Sequence, residues 1–428
     1  MKKFAFSLPE KSAKKDFIFN MYGSMLMSFV SVFLLVAVSQ ILGEDAAGIF
    51  SISYSTAQMF YTIGAYEVRN IQVTDAKGEF EFADCLAFRM ITTAVMIVVS
   101  ECFVIFKGFD AVKSSVIMLL CVYMAFVSLS EVFQGNAHKN GYLYISGFSL
   151  GTSVLLASVA FIITLIITKS LIISIIPMIT VMFVWIFAFD LPFTANFDKP
   201  IPEFRFNKIK SLFLHTTPLI ISVFANQYSL NCPKYAIDKC LTDLDQSHYG
   251  YLVMPAFCIN LLSMFVFRPN ILLLSKKWNE RDYKGFNKIS ALLFGWIAIA
   301  TLIVLAGGYF FGIPILNVLY GTDLTSKKIW LLVLLVGGGF SAAATLGSMI
   351  VAVTRKQNYA LAAYLAATVA AVVLPNILVK NYGFAGAPVS YLLINVVLFI
   401  ALFAVLFVTV FSKSLHKGKT QTDKSNNG

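Results

Sequence analysis

Charge is the first thing this sequence lacks. Of its 428 residues, 13% are charged and 58% are hydrophobic, where a soluble globular chain carries roughly a quarter charged residues. Mean hydropathy is +0.78, which excludes a soluble domain and places the chain in a bilayer. Cysteine is scarce as well: six are present, with no metal-ligand spacing among them. Cys85, Cys102, Cys121 and Cys258 fall in apolar runs, where cysteine acts as a small hydrophobe. Cys232 and Cys240 would stand about 12 Å apart along one helix, beyond disulfide reach. No metal or cofactor site is expected. Also missing are a sizeable outward loop, a metal-binding acidic pair and paired carboxylates on one face, which argues against a membrane-bound transferase or polymerase. The first apolar run is too long for a signal peptide and has no small-residue cleavage site, so it is expected to stay as a signal anchor.

What the chain does have is apolar runs of about 20 residues, the length that crosses a hydrocarbon core of about 30 Å. They predict about twelve helices, at 17–42, 49–68, 84–107, 112–136, 143–168, 170–190, 211–239, 247–274, 287–312, 326–353, 357–380 and 384–412. Most of the 33 Lys and Arg fall in alternate connections, such as Lys276-Lys277 and Lys208-Ile209-Lys210. The positive-inside rule then puts both termini in the cytoplasm. Topology accounts for the +11 net charge without nucleic acid. The cluster Lys2, Lys3, Lys11, Lys14 and Lys15 is also suited to anionic lipid.

The turn between the first two runs, Leu42-Gly43-Glu44-Asp45-Ala46-Ala47-Gly48, returns as Leu244-Asp245-Gln246-Ser247-His248-Tyr249-Gly250 with the same Leu-to-Gly step. Gly48 and Gly250 are expected to serve tight turns or helix starts. Gly108-Phe109-Asp110 is repeated at Gly321-Thr322-Asp323, and His138-Lys139-Asn140-Gly141-Tyr142 corresponds to Thr354-Arg355-Lys356-Gln357-Asn358-Tyr359. Six helices have been duplicated. Since six is even, the copies share a topology and are parallel repeats. The expected fold is an all-α polytopic membrane protein with about twelve transmembrane helices in two six-helix lobes around a central cavity. The lobes are assigned to 1–190 and 211–412, joined by a proline-broken cytoplasmic linker at 191–210 and followed by a polar cytoplasmic tail at 413–428. The charged stretch Tyr66 to Phe80 is expected to be a cytoplasmic loop. Small residues at Gly337-Gly338-Gly339 and Ala342-Ala343-Ala344 are expected to let helices approach closely.

Polar residues inside a span face protein or water rather than lipid, so their angular spacing selects the helices that line an aqueous path. In the first helix Asn20, Ser24, Ser28 and Ser31 share an arc, and in the second Ser51, Tyr54, Gln58, Thr62 and Arg69 do so. The seventh carries the sharpest stripe, Gln227, Asn231, Lys234 and Asp238. The eighth offers Asn260, Ser263 and Arg268. A single Ser or Thr can equally bond back to its own helix. A charge within the membrane costs about 2.5–3.5 kcal/mol on insertion scales, so the cations carry more information. Arg268, followed by the helix-kinking Pro269, is either a cavity cation or a snorkelling structural arginine. Arg69 lies nearer the interface and divides the same way. Lys234 and Asp238, four residues apart, suit an internal ion pair or substrate binding. Glu67, Glu101, Glu131 and Asp190 show no common face.

The chain resembles the polysaccharide (Wzx-like) flippases of the MOP superfamily, relatives of MATE exporters and lipid II flippases. The resemblance spans nearly the whole length. Its general parts are the Leu42-Gly43 to Gly48 hairpin, Tyr320-Gly321 and Tyr382-Gly383-Phe384-Ala385-Gly386-Ala387-Pro388. Its specific parts are Val68-Arg69-Asn70-Ile71-Gln72-Val73-Thr74-Asp75, Phe133-Gln134-Gly135, Asn231-Cys232-Pro233-Lys234-Tyr235-Ala236-Ile237-Asp238, Met254-Pro255-Ala256-Phe257 and Phe265-Val266-Phe267-Arg268-Pro269. The resemblance implies a transporter, not an enzyme. It would move an undecaprenyl-diphosphate-linked oligosaccharide from the inner to the outer leaflet of a bacterial cytoplasmic membrane by alternating access. Its partners would be that substrate, membrane lipids and polysaccharide assembly proteins. Arg69, Arg268, Lys234, Asp238, Asn231, Gln227, Gln58 and Asn20 are the expected substrate-binding residues, with arginine forks for the diphosphate and amides for sugar hydroxyls. The alternative, a MATE-like cation-coupled multidrug exporter, would want an acid in the first helix, and residues 17–42 contain none.

Overall fold

The computed structural model describes residues 11–75, 78–354 and 357–408, without the side chains of residues 261, 262, 264–266, 268, 269, 357 and 358. Among these there is no strand. The helices are α1 (Ala13–Leu42), α2 (Glu44–Ala65), α3 (Val68–Thr74), α4 (Phe82–Lys107), α5 (Ala111–Lys139), α6 (Leu143–Thr168), α7 (Leu171–Trp185) and α8 (Leu191–Thr194). They continue with α9 (Phe206–Cys240), α10 (Asp243–Asn279), α11 (Tyr283–Gly307), α12 (Ile313–Tyr320), α13 (Lys328–Val353), α14 (Gln357–Tyr382) and α15 (Gly386–Leu406). Setting aside the short α3, α8 and α12, the twelve long helices match the twelve apolar runs in order. Among the described residues, eight stretches are long and apolar enough to cross a membrane, one of them holding both α14 and α15. Neither α2 nor α9 is among them.

The chain divides into two compact units, with the boundary between Phe224 and Ala225 inside α9. Within the first, α5 packs on α2, α4, α6 and α7, and α6 packs on α7. Within the second, α13 packs on α10, α11, α14 and α15, and α14 packs on α15. The second unit therefore repeats the packing of the first. Where α1 lies against α6, α9 places Tyr228 and Cys232 against Ala370, Ala371 and Leu374 of α14. The repeated turns also match, since Gly108 (φ 66°) and Gly321 (φ 70°) both end their helices in the left-handed conformation that glycine adopts without strain.

The α1–α6 contact is close because it lacks side chains. A Cβ on Gly23 would strike the Gly147 carbonyl, one on Gly147 would strike the backbone of Phe19 and Asn20, and one on Gly151 would strike the Tyr22 ring. Asp16 completes the contact, its Oδ1 accepting the Tyr144 backbone N–H at 2.8 Å and so satisfying an orphan donor of the first turn of α6.

Three expectations change. The tight turn at the opening hairpin is Gly43 (φ 91°), whereas Gly48 and Gly250 sit buried inside α2 and α10. The charged stretch from Tyr66 to Phe80 is not simply a loop, for it contains α3. And α2 ends at Ala65, so Arg69 belongs to α3 and does not extend the α2 stripe. The cause is a pair of left-handed residues, Tyr66 (φ 42°) and Glu67 (φ 54°), which turn the chain between the two helices. Both are side-chain-bearing residues, for which this conformation is uncommon. Tyr66 is held by stacking on Phe213 at 5.8 Å, by an edge contact with Phe88 at 5.5 Å and by a hydrogen bond between its hydroxyl and Thr217.

The segment ahead of α9 is tied to the first unit. The Glu203 backbone N–H donates to the Ala83 carbonyl at 3.2 Å, and Lys208 Nζ donates to the Glu79 carbonyl at 2.6 Å. Arg205 meets Glu203 (2.8 Å), Asp84 (3.3 Å) and Glu81. Its hydrogen bond and charge hold the Glu81 carboxyl below the usual carboxylate range.

Candidate functional site

The break after α2 leaves the last carbonyls of that helix without partners in the next turn, where cations and donors are favoured. From α4, Arg89 and Thr92, one turn apart, face this end. Arg89 Nη1 donates to the Gly64 carbonyl at 3.2 Å, and Thr92 Oγ1 donates to it at 2.8 Å. The Arg89 side chain has 0% of its surface exposed, an unusual position for arginine unless it is paired. Its other nitrogen, Nη2, lies 3.3 Å from Glu131 Oε2 on α5.

Glu131 also receives Arg69. From α3, Arg69 Nη1 is 4.0 Å from Glu131 Oε1, while its Nη2 donates to Ser146 Oγ on α6 at 2.8 Å. Arg69 remains 24% and Glu131 20% exposed. Three helices thus converge on two guanidiniums and the Glu131 carboxylate, with a second carboxyl, Glu67, close by at the start of α3. Arg89 is the structural member, enclosed and committed to the helix end. Arg69 is the more accessible of the two guanidiniums.

Two of the segments that carry the family resemblance meet here. Gln72 Nε2 donates to the Val132 carbonyl at 3.2 Å, and its Oε1 lies where a Cβ on Gly135 would stand. Gly135 is therefore the seat that lets α3 approach α5. Phe133 packs on Phe82 at 5.5 Å. At the end of α3, the Asp75 carboxylate accepts the backbone N–H groups of Glu79 and Phe80, and Lys139 closes on it at 3.9 Å. These motifs build the platform that aims Arg69.

A second polar group begins at Ser130, the residue before Glu131 on α5. Asp190, at the end of a π-helical turn that follows α7, accepts hydroxyl hydrogens from Ser130 and Ser149, each at 2.5 Å. Ser130 Oγ in turn accepts from Gln134 Nε2 at 3.0 Å, and Ser149 Oγ from Trp185 Nε1 at 3.0 Å. Because an indole N–H can only donate, this arm has a fixed direction. The network is oriented toward the carboxylate.

Of the other expected residues, Asn20 is half-buried on α1, its backbone against Gly147 and so one residue from Ser146. Gln58 is half-buried on α2. In the second unit, Gln227, Asn231, Lys234 and Asp238 follow one face of α9, with Lys234 3% and Asn231 6% exposed. Asn231 Nδ2 donates to the Gln227 carbonyl one turn back at 2.9 Å, a local use of that amide. Lys234 and Asp238 both have partners. Arg268 lies on α10, which runs as one helix through Pro269, but its side chain falls outside the described residues. Ser28 and Thr62 bond back to Ser24 and Met59 carbonyls of their own helices, as isolated hydroxyls in spans do. Arg89 was invisible to stripe counting because it sits near a helix end, where a lone arginine reads as a topology signal. Glu131 was seen without a face because its partners come from two other helices.

No family model and no curated sequence matches the chain. Solved structures do. An inward-facing multidrug resistance MATE family transporter of the MOP superfamily superposes with a TM-score of 0.69 at 12% identity, covering 92% of this chain and 98% of that one. The lipid II flippase MurJ, in an inward closed conformation, gives 0.64 at 14% identity over 91% of this chain and 87% of that one. A MOP superfamily transporter from Pyrococcus furiosus, described by the reverse polarity of its binding pocket, gives 0.58 at 13% identity over 90% and 92%. The chain therefore has the MOP transporter fold and is a multi-pass membrane protein.

Proposed function

We propose that the protein is a flippase that carries a polyprenyl-diphosphate-linked oligosaccharide from the cytoplasmic to the outer leaflet, for synthesis of a cell-surface polysaccharide. The observation that carries this reading is the Arg69–Glu131–Arg89 cluster, which holds a partly exposed guanidinium, Arg69, in a membrane-spanning unit. A diphosphate needs such a cation, and the arginine fork matches its oxygens. Arg268 on α10 is proposed as a further phosphate-binding cation, and Gln58 and the α9 stripe as groups for sugar hydroxyls. Moving a negative headgroup outward across a membrane with a negative interior gains about 2.3 kcal/mol per charge per 100 mV, so the potential assists the step. The MurJ-like fold agrees with a lipid-linked cargo.

The cation-coupled exporter reading is weaker on one specific ground. The acid of α1, Asp16, is spent on the Tyr144 backbone, and no acid follows it to Leu42.

The test is reconstitution with a fluorescent polyprenyl-diphosphate oligosaccharide and a membrane-impermeant probe of the outer leaflet. Protein-dependent appearance of label outside supports the proposal. Absence of translocation together with ion-dependent efflux of a cationic dye would transfer the protein to the exporters.

A further inference from the structure

In the second unit, α11, α13 and α15 enclose a groove of about 740 Å³, within the roughly 300–1,000 Å³ typical of ligand sites. Its walls are aromatic: Phe399 lies 6.3 Å from Phe294, 5.6 Å from Phe340 and 5.7 Å from Phe403. Its floor is set by Gly339, whose missing side chain admits Thr301 from α11. The Thr301 hydroxyl is donated to the Ile297 carbonyl at 2.7 Å, so the inner end presents hydrocarbon. α11 belongs to the least enclosed of the membrane-crossing stretches, and Ala291 and Ala298 on its groove face are exposed. A guest entering from the bilayer side must be a hydrocarbon chain.

The groove also has a polar end. Along α11 its lining runs Asn287, Ala291, Phe294, Ala298, Thr301, a single heptad-like stripe about 21 Å long. One step before Asn287 on the same stripe stands exposed Lys284, with exposed Lys288 beside it. Just outside, Trp278 packs on Tyr283 at 5.4 Å and on Phe286 at 5.2 Å, the aromatic grouping that settles at the depth of lipid headgroups. Two cations therefore sit at headgroup level above a chain-length apolar slot.

We propose that this groove is a binding site for an anionic phospholipid, one acyl chain lying along the α11 stripe and the phosphate held by Lys284 and Lys288. The site is separate from the Arg69 cluster and does not depend on the transport reading.

The experiment is native mass spectrometry of the full-length protein, purified in detergent and titrated with phosphatidylglycerol or phosphatidylcholine. Wild type is expected to retain phosphatidylglycerol roughly tenfold or more better than phosphatidylcholine, the scale two lysines near an anionic surface provide. Ala298→Phe, which fills the groove from an exposed position, should lose both lipids while keeping its helical circular dichroism. Lys284→Ala with Lys288→Ala should keep a bound lipid and lose the preference. Equal retention of the two lipids by wild type, or unchanged retention by Ala298→Phe, would overturn the proposal. So would displacement of phosphatidylglycerol by an equimolar polyprenyl phosphate, which would give the groove to an isoprenoid.

Discussion

Arg89 on α4 and Glu131 on α5 face each other at 3.3 Å, with no part of the arginine side chain exposed. Removing one member of such a pair leaves the other charge enclosed, which costs about 3–5 kcal/mol. Arg89→Leu should therefore lower the thermal unfolding temperature in detergent sharply, and Arg89→Lys should not restore it, since a single ammonium cannot reach both Gly64 and Glu131. The double change Arg89→Leu with Glu131→Gln should be milder than the sum of the single changes. Additive effects would show that the two do not interact.

Arg69 should separate from Arg89 in its phenotype. Arg69→Ala is expected to reduce transport about ten- to hundredfold, the scale of one charge-assisted hydrogen bond, with little change in unfolding temperature, and Arg69→Lys should recover part of it. Arg268→Ala should abolish transport with protein still in the membrane. Export at wild-type rates in either alanine variant would remove that residue from the site.

Asp190 offers a test of hydrogen-bond direction. Asp190→Asn preserves shape but replaces one of the two accepting oxygens by an N–H donor, which then faces one of the Ser130 and Ser149 hydroxyls that already donate. The expected loss is about 1–3 kcal/mol of stability. Trp185→Phe frees the Ser149 lone pair, so the double variant should regain stability relative to Asp190→Asn alone. No recovery would mean the Trp185 arm does not set the direction.

In the segment between α8 and α9, Arg205 holds the Glu81 carboxyl low. A carboxyl depressed by folding contributes stability above its unfolded range, and loses it as pH falls through the folded value. Unfolding of wild type should therefore steepen on the acid side of the ordinary carboxylate range, and Glu81→Gln should flatten that limb. A limb of unchanged slope would show that the contact contributes nothing.

Gly135→Ala tests the seat for Gln72. The added methyl lands on Gln72 Oε1 and comes within 3.4 Å of Arg69 Cγ, so the Gln72 side chain must swing off its Val132 partner and Arg69 is crowded. Transport should fall while Arg89-dependent stability is kept, and an unaffected rate would show that the seat has slack.

The twelve long helices were readable because apolar length is a strong, local signal, and the duplication was readable because Gly108 and Gly321 perform the same left-handed turn. The break at Tyr66 and Glu67 was not, because side-chain-bearing residues adopt that conformation only when tertiary contacts such as Phe213 impose it. The site divides the same way. Arg69 stood out by its charge although its helix was misassigned, whereas the pairing of Arg89 with Glu131 needed the meeting of α3, α4 and α5, which a count along one helix cannot reveal.

The glycine contact between α1 and α6 has a consequence for synthesis. α1 leaves the ribosome about a hundred residues before its main partner, a delay of roughly 5–20 s at usual elongation rates. During that interval its Gly23 face meets lipid or an insertion factor instead of Gly147. α1 thus waits for a later helix before it can dock on its main partner, and substitutions at Gly147 should act as assembly defects before they act as stability defects.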